Sequence, residues 1–215
     1  MELVIDKQRY YVPEKWNEVS LKRYIDFHNT YKEDVSDAEK EIHLVSTLTG
    51  APYELLGKAK KSVINKVTSK LTELITTKCN EDLVLEFTID GTDYGFHPNL
   101  SQMKLKEFVD LDNKLENEWR DMHKIMAILY RPITVRKKEK YDIEEYNFMT
   151  AATRAELFLN TMTIDVVNAA AAFFLRIALD YMKITQVYSK MNRRSRRAAT
   201  KAMHKSLRRN MGGMV

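Results

Sequence analysis

Hydrophobic and polar positions alternate along two short stretches of this chain, and the two stretches lie 84 residues apart. Residues 2–5 and 9–12 show the period-two alternation of a β-hairpin. Residues 83–89 and 94–96 repeat it around Asp90-Gly91, a dipeptide that favours a tight hairpin turn. A β-hairpin is therefore predicted near the start of each half of the chain.

A helical spacing of apolar residues follows each predicted hairpin. Residues 20–29 and 104–113 carry apolar side chains three and four positions apart, and residues 36–50 and 116–130 do the same. The first pair of helices aligns at the same offset of 84 residues, and the second pair aligns at 80. The shared order of hairpin, helix and helix predicts an internal duplication of one supersecondary unit. The identical residues of the first aligned pair are Leu21 and Leu105, Lys22 and Lys106, Asp26 and Asp110, and Asn29 and Asn113.

The two halves diverge after their second helix. In the first half, Pro52 begins a short helix, and residues 62–77 form a third long helix. In the second half, the charged and tyrosine-rich residues 133–149 are predicted to form a surface insertion, a kind of segment that often carries function. Helices over residues 150–160 and 163–190 then follow. We expect the buried stripe of the third helix at Val63, Val67, Leu71, Leu74 and Ile75.

These elements predict a mainly helical α+β fold. It consists of two similar modules, each a small β-hairpin followed by helices, with a long C-terminal helix and a basic tail. The first module covers residues 1–80. The second covers residues 81–190 and contains the inserted loop 133–149 and the long helix 163–190. Residues 191–215 form the tail.

The helix predicted over residues 163–190 is apolar on more than one side. Its large side chains recur at intervals of four and three, which is the spacing of a coiled-coil seam. Such a helix is buried either in the core of its own chain or in a partner protein, and the pattern alone leaves both open. The candidate protein-binding residues are Ala170, Phe173, Phe174, Ile177, Tyr181, Ile184 and Tyr188.

Charge is distributed unevenly along the chain. The net charge is +5, yet the residues after Asp180 include ten Lys or Arg and no acidic residue. Subtracting these ten from the 35 basic residues leaves 25 against 30 acidic ones, so the rest of the chain carries −5. A cationic tail of this kind binds DNA by releasing counterions from the phosphates, binds an acidic protein surface, or only keeps the chain soluble. The candidate residues for nucleic acid or an acidic partner are Arg193, Arg194, Arg196, Arg197, Lys201, Lys205, Arg208 and Arg209.

Composition narrows the class of protein further. Of the 215 residues, 44% are apolar and 30% are charged, which is typical of a folded globular protein. Cys79 is the only cysteine, so an intramolecular disulfide is excluded. Residues 166–175 form the most apolar stretch, and its ten residues are about half of what a bilayer span requires. We expect no membrane span and no targeting signal.

Catalytic motifs are missing from the sequence. It contains no P-loop, dinucleotide fingerprint, nucleophile elbow or His-Glu-x-x-His zinc motif. The aligned His43 and His123 lie on apolar helices, where a packed imidazole is commoner than a metal ligand. The aligned Asp26 and Asp110 either cap a backbone and pair with a lysine one turn away, or serve as an acid–base pair. We predict a protein that is not an enzyme and that has no cofactor and no metal.

Four segments resemble small tail-gene-cluster proteins of tailed bacteriophages, usually called tail assembly chaperone-like or virion structural proteins. They are residues 12–24, which begin Val-Pro-Glu-Lys-Trp, residues 45–56, which contain Leu-Thr-Gly-Ala-Pro-Tyr, residues 96–111, which begin Phe-His-Pro-Asn-Leu, and residues 123–133, which end Leu-Tyr-Arg-Pro-Ile. The resemblance covers residues 1 to about 182, so the basic extension departs from it.

The resemblance implies a non-enzymatic assembly protein that acts in the host cytoplasm and binds phage tail or virion proteins through helical apolar surface, with oligomer formation left open. The basic tail favours an alternative, a permanent structural component of the portal, tail or capsid interior. In that alternative the tail contacts DNA or an acidic neighbour within the virion. Neither role requires a membrane.

Overall fold

The computed structural model of the protein describes residues 1–30, 35–79, 81–115, 118–138 and 140–190, with side chains described as far as residue 177 of the last helix. The chain divides into two compact units. The first comprises Met1–Asn80 and Glu156–Asn168, and the second comprises Glu81–Ala155 and the residues from Ala169 onward. Residues 156–168, expected in the second module, thus group with the first unit.

The described residues form a mixed α+β fold, as the sequence predicts. The strands are β1 (Glu2–Ile5), β2 (Gln8–Tyr11), β3 (Glu86–Ile89), β4 (Thr92–Phe96), β5 (Tyr130–Lys137) and β6 (Lys140–Ile143). The helices are α1 (Leu21–Thr30), α2 (Asp37–Thr49), α3 (Tyr53–Leu56), α4 (Lys61–Thr76), α5 (Leu105–Leu115), α6 (Met122–Leu129), α7 (Phe148–Thr161) and α8 (Ile164–Lys190). Short 3-10 turns lie at Trp16–Glu18, Leu100–Gln102 and Glu118–Asp121.

Each unit begins with a hairpin closed by a two-residue turn. The turn residues Asp6 and Lys7 have φ values of 48° and 67°, and Asp90 and Gly91 have 49° and 76°. Positive φ at both positions is the geometry that matches the twist of antiparallel strands, and glycine adopts it without steric cost. The two hairpins therefore share their register, with one residue pair directly flanking each turn.

The elements after each hairpin recur in the same order. A 3-10 turn, α1 and α2 follow in the first unit, and a 3-10 turn, α5 and α6 follow in the second. Leu21 and Leu105 are the first residues of their helices and lie 84 positions apart, the offset of the sequence alignment. Common origin of the two halves by duplication remains a prediction, which this order supports.

Helix α4 packs into the first unit through a narrower face than the sequence suggests. Val63 and Ile75, expected to be buried, are exposed, and that part of the prediction is wrong. The two residues lie at opposite edges of the helical arc centred between Val67 and Leu71, so only the middle of the arc reaches the core. The buried residues of α4 are Ile64, Val67, Leu71 and Leu74.

The second unit contains a four-stranded antiparallel sheet in the order β3-β4-β5-β6. The prediction of a loop over residues 133–149 is wrong, because this segment supplies most of β5 and all of β6, although most of its described residues are exposed as a surface insertion would be. The β-branched residues from Ile133 to Val135 suit a pleated strand, and Tyr141 on β6 is buried. Arg136 lies across the sheet and contacts Glu86 and Asp93, so part of the charge of this segment is paired within the sheet.

Helix α6 is shorter than predicted. The helix expected over residues 116–130 begins only at Met122, after the 3-10 turn Glu118–Asp121. It ends at Leu129, and Tyr130 is already the first residue of β5. Every residue of α6 from Ile125 to Leu129 is buried, which places this helix in the core of the second unit.

The turn between α7 and α8 belongs to the first unit. It lies against the start of α1 through an antiparallel bridge between Ser20 and Thr163. Among the described helices, α8 included, none has both the length and the apolar character needed to cross a bilayer.

Candidate protein-binding face

Helix α5 presents an unusual distribution of side chains, with a carboxylate on its buried side and apolar residues on its exposed side. Glu107 is 2% exposed, whereas Leu105 is 79% exposed, Phe108 55% and Val109 45%. On the helix, positions 105, 108 and 109 share one side, and position 107 lies on the other. An ordinary surface helix has the reverse arrangement.

The buried side of α5 is held by a charged pair. Arg131, at the start of β5, donates from Nη2 to Glu107 Oε1 at 2.6 Å, and both side chains are almost fully buried. His97 Nε2 lies 3.5 Å from the same oxygen. The Asn99 backbone N–H donates to His97 Nδ1 at 3.2 Å, which leaves the imidazole proton on Nε2, facing Glu107.

Burial shifts the titration of all three groups. Burial and, to a lesser extent, the nearby Arg131 guanidinium together lower the pKa of His97 to about 4, so this imidazole is neutral at pH 7. Burial raises the pKa of Glu107, and nearby Arg131 partly opposes that rise. The pKa of Arg131 is lowered by burial, but a guanidinium remains protonated in proteins. Glu107 and Arg131 therefore form a pair of opposite charges, and the neutral His97 lies beside it. We call these three residues the Glu107 anchor.

A second buried arginine ties the surrounding elements together. Arg154 on α7 donates from Nε to the Ala127 carbonyl of α6 at 3.0 Å, and from Nη1 to Glu144 Oε2 at 2.8 Å. The Glu144 backbone N–H in turn donates to the Pro132 carbonyl of β5 at 2.8 Å. Helix α7, helix α6 and the end of the sheet are thereby held in one arrangement beside the Glu107 anchor.

The segment after β6 is fastened to α5 from the outside. Tyr146 donates its hydroxyl to Asp110 Oδ2 at 2.6 Å, and the Lys104 ammonium lies 2.9 Å from Glu145 Oε1. The pKa of Tyr146 is raised by burial and by this bond to Asp110. The aligned aspartate position thus accepts a bond from a tyrosine, and not from Lys106 one turn away.

We call the exposed side of this helix the α5 face. It carries one charged residue, Asp112, among four exposed apolar ones, and a helical projection places Asp112 in the middle of them. Exposed apolar residues clustered on one rigid element are typical of a protein-binding surface. The α5 face consists of Leu105, Phe108, Val109, Asp112 and Leu115.

The candidate residues on α8 lie in two different environments where their side chains are described. Ala170 and Phe173 are buried by the chain itself, with the Phe173 ring 5.7 Å from that of Phe96. Phe174 and Ile177 are half-buried. Tyr181, Ile184 and Tyr188 lie on the α8 backbone, but their side chains are outside the described residues, and all eight candidate residues of the basic tail also lie outside.

The remaining candidates for chemistry are dispersed. His43 packs its ring 5.2 Å from that of Tyr53, and His123 is buried on α6. Burial raises the pKa of the Cys79 thiol, so it is less reactive than an ordinary cysteine. The described part of the chain contains no group of three His, Cys, Asp or Glu residues placed to hold a metal ion.

The α5 face and its anchor were not among the residues that the sequence singles out. One signal was present, since the apolar residues of α5 spread over nearly half of the helix surface, from Leu111 round to Val109. An apolar arc of this width on one short helix predicts a second contact surface. The partners of Glu107, by contrast, are 10 and 24 positions away along the chain and have no motif spacing.

Comparison of the chain with protein-family models, with curated proteins and with solved structures yields no match.

Proposed function

We propose that this chain is a non-enzymatic phage virion assembly protein that binds other tail or virion proteins through helical apolar surface, in the manner of a tail assembly chaperone. The observation that carries the proposal is the α5 face, where Leu105, Phe108 and Val109 point into solvent from a helix held rigidly by its charged side. Leaving such side chains in water forgoes about 1.5–3 kcal/mol each relative to burial, which a partner would recover.

The charged cluster beneath α5 suits an anchor better than an active site. The side chains of His97, Glu107 and Arg131 are 10% exposed or less. A substrate therefore has no open path to them, and catalysis requires groups within hydrogen-bond reach of the reacting atoms. This closure supports the non-enzymatic assignment.

Co-purification tests the proposal. The tagged chain is isolated from cells that also express the neighbouring virion genes, beside a Leu105→Ser/Val109→Ser variant and a matched Val63→Ser/Ile75→Ser variant of the exposed positions on α4. We expect specific tail or virion proteins with the native chain and the α4 variant, and a loss with the α5 variant. If the native chain retains none of these proteins, the assignment is wrong.

The alternative is a permanent virion component whose basic tail contacts DNA or an acidic neighbour. The ten cations after Asp180 without an acidic residue favour it. Mass spectrometry of purified particles separates the two roles, because a chaperone is absent from them and a structural component is present at fixed copy number. Removal of residues 192–215 should abolish salt-sensitive DNA retention. Unchanged retention would exclude DNA as the ligand of the tail.

A further inference from the structure

Helix α1 packs against α2, and helix α5 packs against α6. Aligned positions of the two helices lie on the packed side. Arg23 on α1 donates from Nη1 to the Leu48 carbonyl at the end of α2 at 3.2 Å. The residue aligned with Arg23 is Glu107, which contacts Arg131 just beyond the end of α6. Although the chemistry differs, the same side of each helix faces the region at the end of the following helix within its own unit.

The start of α1 is bonded to the turn between α7 and α8. The Leu21 N–H donates to the Met162 carbonyl at 2.8 Å, and the Ile164 N–H donates to the Val19 carbonyl at 2.9 Å. Leu21 is completely buried, as are Phe158, Ile164 and Val167 of the bonded segment. In the first unit, therefore, the leucine that begins the helix is buried next to a turn between two helices.

The opposite side of α5 is the exposed α5 face. The residues aligned with Leu21 and Ile25 are Leu105 and Val109, and both are exposed where their counterparts are buried. The second unit thus repeats the apolar positions of the first but leaves them exposed.

We propose that the α5 face is the docking site for an amphipathic helical segment of another protein, and that this segment carries a lysine or arginine opposite Asp112. The inference rests on the proposed function and names the site and the chemistry of the partner. Leu105, Phe108, Val109 and Asp112 occupy positions i, i+3, i+4 and i+7, the spacing by which helices are recognised on apolar surfaces.

Asp112 selects the type of partner. Two copies of this chain meeting through their α5 faces would bring two Asp112 carboxylates into one apolar contact, and burying like charges together is unfavourable. A partner cation neutralises Asp112, while its aliphatic stem covers Leu105 or Phe108. Charge complementarity therefore favours a different protein over a second copy of this chain.

Site-specific cross-linking identifies the occupant. A photoreactive benzoylphenylalanine replaces Phe108 in the full-length chain, expressed with the neighbouring virion genes, and the control carries it at the exposed Val63 on α4. We expect a cross-link from position 108 to one peptide of another protein, with apolar residues three and four apart and a Lys or Arg between them. A cross-link to a second copy of this chain, or none beyond the Val63 control, overturns the inference.

Charge reversal then tests the contact itself. Asp112→Lys should reduce co-purification of the cross-linked protein about tenfold or more, and changing the mapped basic residue of the partner to Glu should restore it. Asp142→Lys, an equal charge change at an exposed position of β6, is the matched control and should have little effect. Equal losses from Asp112→Lys and Asp142→Lys, or no rescue, contradict the proposed contact.

The docking site on the α5 face and the assembly function can be disproved separately. If the native chain retains virion proteins and the Leu105→Ser/Val109→Ser variant retains them equally well, the docking site is wrong and the assembly function stands. If the native chain retains no virion protein at all, the assembly function itself is wrong.

Discussion

Glu107 and Arg131 form an almost fully buried ion pair of 2.6 Å beneath a helix whose outer side is apolar. A buried pair of this kind is weak evidence for added stability, because removing both charges from water costs about as much as their attraction returns. It does determine which side of α5 faces inward, since neither charge tolerates burial alone. The exposure of Leu105, Phe108 and Val109 follows from this orientation.

The first prediction concerns this ion pair. Glu107→Ala leaves the Arg131 charge buried without its carboxylate and should lower the free energy of unfolding by about 3–5 kcal/mol. The double variant Glu107→Met/Arg131→Met should be much less destabilised than the sum of the single variants, because no charge is then left unpaired. Urea unfolding followed by circular dichroism measures both.

The exposed pair of Lys104 and Glu145 provides the control for this prediction. Glu145→Ala should hardly change the urea midpoint, because exposed ion pairs contribute little. Additive losses in the double variant Glu107→Met/Arg131→Met would show that the two residues do not act as a pair.

The second prediction compares aligned leucines. Leu21→Ala removes a fully buried side chain and should cost about 2–5 kcal/mol of unfolding free energy, whereas Leu105→Ala at the exposed, aligned position should cost no more than about 0.5 kcal/mol. The comparison is informative because both leucines begin a helix with the same following residue, lysine. Similar losses at both positions would mean that the α5 face is covered in solution.

The third prediction concerns the close approach of Gly95 and Tyr141. A Cβ atom on Gly95 would lie 2.5 Å from Tyr141 Cε2 and 3.0 Å from Ile133 Cγ1. The Tyr141 ring is held in place because its hydroxyl lies 2.8 Å from the Phe96 carbonyl, and burial raises its pKa to about 12. Gly95→Ala should therefore destabilise the chain by about 1–3 kcal/mol through overpacking.

Gly57 is the matched control for this substitution. Its backbone is right-handed helical, and a Cβ would meet only the Glu54 carbonyl at an ordinary 3.6 Å. Gly57→Ala should be neutral or slightly stabilising, since alanine restricts the unfolded chain. Both variants are compared by thermal unfolding, and equal melting temperatures for Gly95→Ala and the native chain would contradict the packing described.

The fourth prediction is a loss of stability in acid that depends on His97. Its pKa falls from 6.5 in the unfolded chain to about 4 in the folded one, so between these values the unfolded state binds the extra proton. The contribution of His97 is complete above pH 6.5 and is lost as the pH falls toward 4, by roughly 3 kcal/mol in total. Unfolding free energies measured at several pH values for the native chain and for His97→Asn isolate this term.

Glu107 acts in the opposite direction. Its raised pKa means that the folded state binds a proton more readily than the unfolded one, so acidification through that pKa relieves the cost of burying its charge. The pH dependence of the unfolding free energy of the native chain is the sum of the His97 and Glu107 effects. Subtracting the unfolding free energy of His97→Asn from that of the native chain removes the Glu107 effect, which both chains share. A difference that stays constant from pH 7 to pH 4 would contradict the assignment of a neutral His97.

Local structure was predicted correctly from the sequence where the interacting residues are close together along the chain. The two hairpins appear as predicted, because alternation and turn chemistry act within a few residues. The capping box formed by Ser36 and Glu39 at the start of α2 is likewise a contact across three positions. Such interactions depend little on the rest of the fold.

Segments whose partners are distant in sequence were predicted less well. Charged residues in 133–149 suggested a loop, but Arg136 is paired with Glu86 and Asp93 on neighbouring strands, and these residues belong to a sheet. The edges of the α4 stripe, Val63 and Ile75, were expected to be buried because periodicity gives the direction of a face and not its width.

Most element types, their repeated order and the separation of a basic tail from an acidic remainder follow from the residue pattern alone. The side of α5 that faces inward follows only from the folded chain. Leu21 and Leu105 begin similar helices, yet the first is buried and the second faces solvent. Burial depends on what packs against a residue, and the turn bonded to the start of α1 and the charged anchor of α5 both come from distant parts of the chain.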